Sequence, residues 1–354
     1  MKYVAAVAAT YQLVAIAACL WHLYRPRRPA GDLTAVSVLK PVNTIPLGFE
    51  AALRSHTEQD YPRFEVLAGS TKPGCQTPNR KVGVLIDLAK LARYPILVVN
   101  DADIEVPPNY LREVTAPLTD PRVGLVTCIY RAVGDTWPSR FEALGVATDF
   151  APSALVAPFV GVSEFGLGST LAFRRADLDR MGGLAAIADY LADDYQLGCK
   201  LHSLGLRNVI ARPVVSTRLH GNTWGKVWRH QLRWARTIRL SRKGGYAGLP
   251  VTFATVWAIA AACAGLWWIA AGLVALRLAM AITAGWLVLR SLDVLKLFWL
   301  IPVRDLYGAA VWAAALFGNT VEWGGETLTL DSDGRIVGHT SAGATGAVTS
   351  IGNL

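Results

Sequence analysis

Three short groups of residues could do chemistry together: Asn100-Asp101-Ala102-Asp103, Asp193-Asp194-Tyr195 and His230-Gln231-Leu232-Arg233-Trp234. Asp101 and Asp103 follow directly on the apolar run Ile96-Leu97-Val98-Val99. Carboxylates two apart can both reach a divalent metal carried by a diphosphate. Mg²⁺ and Mn²⁺ favour such oxygen ligands and keep several waters. Asp193 and Asp194 are adjacent and repel, which raises at least one pKa, as a general base requires. On a helix, His230 shares a face with Arg233 and Trp234 at i,i+3 and i,i+4. Arg233 would hold a leaving diphosphate with its planar fork, and the Trp234 indole would form part of an apolar acceptor wall.

Weaker signals join these. Pro78-Asn79-Arg80-Lys81 opens a helix, where Asn79 and Lys81 could meet a nucleotide phosphate. Phe165-Gly166-Leu167-Gly168-Ser169-Thr170 precedes a strand, and Gly168 and Ser169 would let backbone approach a ligand. Lys40 closes the first strand and is a further substrate-binding candidate. Each group also has a plain reading. Asp101 and Asp103 suit a strand-ending turn, Asp193 and Asp194 a helix N-terminus, and the arginines around Trp234 an amphipathic helix on anionic lipid.

The elements that must position these residues alternate. Val36–Leu39, Phe64–Ala68 and Ile96–Val99 read as buried strands, with helices over Phe49–His56 and Lys81–Ala92. Short apolar runs between helices imply an α/β domain with a parallel sheet covered on both faces, where ligands bind at the carboxyl ends of strands. Tyr3–Tyr24 is long and apolar enough for one bilayer crossing, and Arg25, Arg27 and Arg28 follow it. Charges after the apolar run predict an anchor with its C-terminal side in the cytoplasm rather than a cleaved signal. Val251–Leu276 reads as a second crossing interrupted by Arg277, and Asp305–Trp323 as a further apolar stretch. The expected domains are an anchor over 1–28, a cytoplasmic catalytic domain over 29–248, transmembrane or interfacial helices over 249–323, and a polar tail over 324–354, with a short hairpin and then a disordered end.

Composition agrees with a membrane-embedded protein. Of 354 residues, 53% are hydrophobic and 17% charged, where about 25% charged is usual for a soluble domain. The net charge of +9 lies in Arg and Lys residues flanking apolar segments. That placement fits membrane topology and phosphate contact, not nucleic-acid binding. The five cysteines form no CxxC, so neither a zinc site nor a disulfide framework is expected, and a reducing compartment fits.

Taken in order, the chain resembles the ceramide glucosyltransferase family, within the family 2-like, GT-A-fold glycosyltransferases. The resemblance rests on Val36-Ser37-Val38-Leu39-Lys40-Pro41, Gln59-Asp60-Tyr61-Pro62-Arg63-Phe64, Asn100-Asp101-Ala102-Asp103-Ile104, Val123-Gly124-Leu125-Val126-Thr127, Gly182-Gly183-Leu184, Leu191-Ala192-Asp193-Asp194-Tyr195 and His230-Gln231-Leu232-Arg233-Trp234. It implies a Rossmann-like nucleotide-sugar domain with a mostly parallel sheet, flanked by transmembrane helices. It implies a UDP-sugar donor, a membrane lipid acceptor, and inversion by direct displacement. Asp101 and Asp103 would meet the metal and diphosphate, Asp194 would be the base, and His230, Arg233 and Trp234 would match the (Q/R/H)xxRW motif. The stretches Phe165–Thr170, Leu191–Gly198 and His230–Arg239 are similar to a bacterial hopanoid branch, which implies an inner-membrane enzyme adding N-acetylglucosamine to a hopanoid polyol. Both acceptors stay open.

One departure stands out. After Ala68 the chain runs through Gly69–Thr77 almost directly to Pro78-Asn79-Arg80-Lys81. The family usually places an acidic nucleotide loop, a helix and another strand there, and a parallel crossover needs a dozen or more residues. Either the sheet is trimmed or this copy is impaired. The competing expectations are an inactive membrane descendant and a processive polysaccharide synthase, which would need more membrane helices. The acceptor is expected to enter from the bilayer, past Ala151–Val162 and Thr223–Trp234.

Overall fold

The computed structural model describes residues 1–26, 33–42, 45–70 and 77–341. Helix α1 (Lys2–Tyr24) is followed by β1 (Val36–Pro41), α2 (Phe49–Thr57), β2 (Phe64–Gly69), α3 (Arg80–Leu91), β3 (Ile96–Val99), α4 (Tyr110–Thr115) and β4 (Val123–Thr127). Then come β5 (Tyr130–Gly134), α5 (Trp137–Gly145), α6 (Ala151–Phe159), β6 (Leu171–Arg174), α7 (Arg175–Arg180), α8 (Asp193–Ser203), β7 (Arg207–Ile210) and β8 (Val215–Leu219). The main sheet has the order β2-β1-β3-β6-β4-β7. The β1–β2, β1–β3 and β4–β7 pairings are parallel, as expected of a GT-A domain.

Strand β6 runs antiparallel between β3 and β4, and this sets up the site. Its register pairs Val99 with Leu171. The loop entering β6 therefore lies on the same sheet edge as the loop leaving β3. Gly168-Ser169 thus meets Asp101-Ala102-Asp103, although the two are far apart in sequence. Strand β2 is the outer strand on its side, so among the described residues no strand follows it there. The short connection expected after Ala68 falls largely on 71–76, outside the described residues.

Two cores hold the sheet. One face buries Val36, Val38, Val98, Tyr110 and Val126, the other Leu39, Leu85, Leu97, Val99 and Phe173. The inner strands β1, β3 and β4 are buried on both faces, which is why they read as largely apolar runs.

Helix α9 (Trp224–Ser241) leads through α10 (Lys243–Gly248) into α11 (Ala254–Cys263), α12 (Trp267–Ile282), α13 (Leu292–Lys296) and α14 (Ile301–Ala315). Among the described residues, two helices are long and apolar enough to cross a membrane: α1, and α12 with its π-helical continuation to Val288. A pair bent by 54°, Lys243–Thr252 with Ala254–Cys263, would be a third if it is one span. Small residues let these helices approach closely. Ala5 and Ala8 of α1 pack on Ala258, Ala261 and Ala270, while Ala15, Ala18 and Cys19 pack on Ala151, Leu155, Met280 and Ala281.

The single crossing expected over Val251–Leu276 is corrected. The chain turns at Gly265, whose φ of +74° only glycine adopts readily. Arg277 does not end a helix but lies inside α12, 2% exposed. The stretch from Asp305 is helical only to Ala315. The chain then forms β9 (Thr320–Trp323), β10 (Glu326–Leu330) and β11 (Ile336–Ser341), a three-stranded antiparallel sheet rather than a lone hairpin. This sheet packs Val321, Leu328, Leu330 and Ile336 against Leu191 and Leu240. The disordered end expected after it lies outside the described residues.

Candidate active site

Asn100 is fully buried at the end of β3. Its Nδ2 donates to Tyr110 Oη (2.9 Å) and to the Ser169 carbonyl (2.7 Å), tying the two facing loops together. Lys40 lies beneath the aspartate loop, also fully buried. Its ammonium donates to the carbonyls of Asp101 (3.1 Å) and Ile104 (3.4 Å) and sits 3.5 Å from His56 Nδ1. Burial lowers the Lys40 ammonium to about 8, against the pull of Asp103 and Asp101. Burial and then Lys40 push His56 down to about 3. Thr217 donates its hydroxyl to Asp103 Oδ2. Burial, seconded by Asp101, still holds the Asp103 carboxyl above its ordinary value.

Asp193 and Asp194 open α8 and point to different partners. Asp194 accepts the Gly168 N–H and the Tyr195 N–H, both at 2.8 Å. Burial, with Asp193 next, pushes its carboxyl up to about 6, opposed by Lys81. Asp193 is anchored by Lys81 Nζ at 3.0 Å and Asn79 Nδ2 at 3.5 Å. Lys81 also reaches Asp101 Oδ1 at 2.8 Å. Burial disfavours its charge, but Asp101, Asp193 and Asp194 together hold the ammonium above its ordinary value. A methyl group on Gly168 would lie 3.0 Å from Asp101 Oδ2, 3.3 Å from Asp194 Oδ2 and 3.6 Å from Lys81 Nζ. Four residues from four separate segments therefore enclose one small space.

The structure moves three expected ligand contacts into support. Lys40 holds the aspartate loop from below. Asn79, 0% exposed, caps α3 by accepting the Val82 N–H and donates to the Tyr190 carbonyl. Ser169 donates to the Cys128 carbonyl at 2.8 Å.

Helix α9 forms the facing wall. Its N-cap Thr223 accepts the Lys226 N–H. Most of its arginines are used inside the fold. Arg229 pairs with Glu322 (3.0 Å). Arg236 and Arg239 cap the end of α14 through the Phe317 and Gly318 carbonyls, both at 2.8 Å. Arg233 differs: among the described residues its side chain has no hydrogen bond or ion pair. It sits within electrostatic reach of Asp101 and Asp194, and burial lowers its guanidinium from the ordinary value. Trp234 packs edge-on to His230 with ring centroids 4.6 Å apart. His230 and Asp103 line one open pocket of about 410 Å³, with Leu47, Arg218, Asn222 and Lys226.

Two functional candidates were silent in the sequence. Glu142 is 0% exposed and holds His230 Nδ1 and Asn222 Nδ2. Thr217 reaches Asp103 from β8. Neither stands in a motif, and only the folded chain brings them to the site.

The comparisons agree with this architecture. The model of glycosyl transferase family 21 matches residues 1–77 and 70–336. Both matched stretches include residues 70–77, where the connection after β2 is short. Ceramide glucosyltransferase 1 of Caenorhabditis elegans is 25% identical over 229 residues, 56% of this chain and 48% of the relative. The chain thus spans about half the length of that relative. Among solved structures, the mannosyltransferase PcManGT from Pyrobaculum calidifontis, in complex with GDP-Man and Mn²⁺, is 20% identical, with a TM-score of 0.43 over 89% of this chain and 99% of its own. Glucosyl-3-phosphoglycerate synthase from Mycobacterium tuberculosis, with Mn²⁺, UDP-glucose and phosphoglyceric acid, is 16% identical, with a TM-score of 0.38 over 61% and 84%. With the family model covering nearly the whole described chain, the protein belongs to glycosyl transferase family 21.

Proposed function

We propose that this chain is an inverting enzyme that moves glucose or N-acetylglucosamine from a UDP-sugar to a hydroxyl of a membrane lipid, a ceramide or a hopanoid polyol. The observation that carries this reading is the enclosure of one small space by Asp101, Lys81, Asp194 and Gly168, with Arg233 unpaired beside it. The likeness to a ceramide glucosyltransferase and the apolar helices beside the domain support a lipid acceptor at a bilayer.

The residues fit a divalent cation. Asp101 and Asp103 are hard oxygen donors, and the Asp103 carboxylate, buried beside Asp101 and within electrostatic reach of Lys40, makes no ion pair among the described residues. Among the described residues no three of His, Cys, Asp and Glu converge on one point. Two carboxylates suit Mg²⁺ or Mn²⁺, which complete their shell with phosphate oxygens and water. Such an ion would neutralise charge that gathers on the departing diphosphate.

The protein's own groups account for the other steps. Asp194 takes the proton from the acceptor hydroxyl. That oxygen forms a bond to the anomeric carbon on the face opposite the leaving group. The carbon–oxygen bond to UDP breaks, and UDP leaves with the electron pair. Arg233 and Lys81 are placed to receive its charge. Gly168 and Tyr195 hold the Asp194 carboxylate still through their N–H groups.

UDP release tests the proposal. Purified protein with Mg²⁺ or Mn²⁺ is offered UDP-glucose, UDP-N-acetylglucosamine or UDP-galactose together with ceramide or a hopanoid polyol. Acceptor-dependent turnover that disappears in Asp194→Asn is the expected result. No turnover, and no nucleotide binding by calorimetry, would replace this reading with that of an inactive descendant.

A further inference from the structure

Several locally unfavourable features meet at one place behind His230. Gly145 ends α5 inside a continuous helical run, where glycine is less favourable than alanine. A Cβ there would stand 2.2 Å from Arg304 Nε, so only glycine admits this guanidinium. A π-helical turn, Val146–Phe150, follows at once, and such turns gather at functional sites. Asp149, in this turn, accepts Arg304 Nε (3.0 Å) and Arg277 Nη2 (2.6 Å). Arg277 in turn pairs with Asp305 at 2.7 Å, inside the helical bundle.

From Arg304 the network runs outward to the pocket. Arg304 Nη2 donates to Gln231 Oε1 at 2.8 Å. Gln231 Nε2 lies 3.4 Å from Glu142 Oε1, which also takes His230 Nδ1. Asn222 Nδ2 donates to the other Glu142 oxygen at 2.9 Å. Glu142 does not line the pocket; it reaches the pocket through His230 and Asn222.

We propose that Glu142 is a positioning residue for His230. An ionised carboxylate can only accept, so its bond to Nδ1 places the ring proton there and leaves Nε2 for the pocket beside Asp103. Arg304, seated in the slot left by Gly145, holds Gln231 and with it the register of α9. The polar chain that starts in the membrane helices thus ends by fixing one imidazole. The kinetic part of this inference rests on the transferase reading; the tautomer part does not.

The test uses the full-length purified protein in detergent. Nitrogen-15 histidine spectra, with His230 assigned by its loss in His230→Gln, should show the Nδ1-protonated ring in the parent and a mixture of tautomers in Glu142→Ala. Glu142→Gln, which keeps the shape, should lower kcat about 10- to 100-fold, as for other groups that orient a functional histidine. Its KM for the nucleotide sugar should stay within about twofold. On a His230→Gln background, Glu142→Gln should add less than about twofold, because the two act through one ring. Gly145→Ala, which expels Arg304, should behave in the same way. An Nε2-protonated ring in the parent, or losses that multiply in the double variants, would overturn the proposal. If no donor supports turnover, the transferase reading fails, and the tautomer spectra still decide whether Glu142 sets the ring.

Discussion

Gly168→Ala separates stability from activity with a single methyl group. Gly168 does not lie in the left-handed region, so alanine fits its backbone without strain. The unfolded chain loses freedom, worth about 0.4–1 kcal/mol, and the crowding at the methyl offsets this gain. The melting temperature should therefore stay within about 3 °C of the parent. The methyl would meet Asp101 Oδ2 at 3.0 Å and Asp194 Oδ2 at 3.3 Å, both closer than ordinary contact. Both carboxylates must give way by a few tenths of an ångström, and the Lys81 contact to Asp101 at 2.8 Å moves with them. Displacement of about 1 Å at a reacting group costs about 100-fold, so a shift of a few tenths predicts kcat/KM lower by about 3- to 10-fold. That equals about 0.6–1.4 kcal/mol of barrier. UDP release gives the rate and scanning fluorimetry the melting temperature. Gly166→Ala is the control, because its methyl would meet Leu171 Cδ2 at 2.6 Å and the Asp194 carbonyl at 2.7 Å. It should lower stability by about 1–3 kcal/mol. Unchanged activity in Gly168→Ala would refute the enclosed space as the place of reaction.

Three further outcomes are expected. The Asp194 carboxyl is raised to about 6, so the base is protonated below that pH; kcat/KM should climb tenfold per unit up to about pH 6 and then level, and a flat profile between pH 5 and 7 would exclude this base. The same shift works against stability as pH rises from the ordinary carboxyl value through about 6, so Asp194→Asn should melt above the parent at pH 8 and level with it at pH 4. Arg233→Lys keeps a charge but loses the fork, and nucleotide-sugar binding measured by calorimetry should weaken about 10-fold or more. Arg277→Met strands Asp305, leaves Asp149 with Arg304, and should cost about 3–5 kcal/mol in detergent unfolding, while adding Asp305→Leu should recover much of the loss.

What the sequence disclosed follows from how local each signal is. The strands Val36–Pro41 and Ile96–Val99 were legible because burial on both faces writes a largely apolar run, and the partly buried edge strand Phe64–Gly69 by its apolar Phe64, Val66, Leu67 and Ala68. The three motifs were legible because their spacing is short. The antiparallel entry of β6 was not, yet it is what carries Gly168 to Asp101. Glu142 and Thr217 stand in no pattern, since their partners lie far along the chain. Arg277 looked like a break in an apolar helix. A charge at such depth is better taken as one half of a pair, and Asp305 was the other half. The arginines of α9 suggested a lipid-facing helix, but a sequence cannot show that Arg236 and Arg239 finish the last turn of α14.

The C-terminal sheet joins the end of the described chain to the segment that leads into the base. Ile336 N–H donates to the Asp189 carbonyl at 2.7 Å, and Leu191 N–H to that of Gly334 at 3.3 Å. Arg80, beside Lys81, pairs with Glu326 at 2.6 Å. Ribosomes add about 5–20 residues per second, so the aspartates are made several seconds before the strands that brace them. In between, the apolar helices must find the bilayer. An interrupted or unintegrated chain would therefore carry every reactive residue and still lack a finished site.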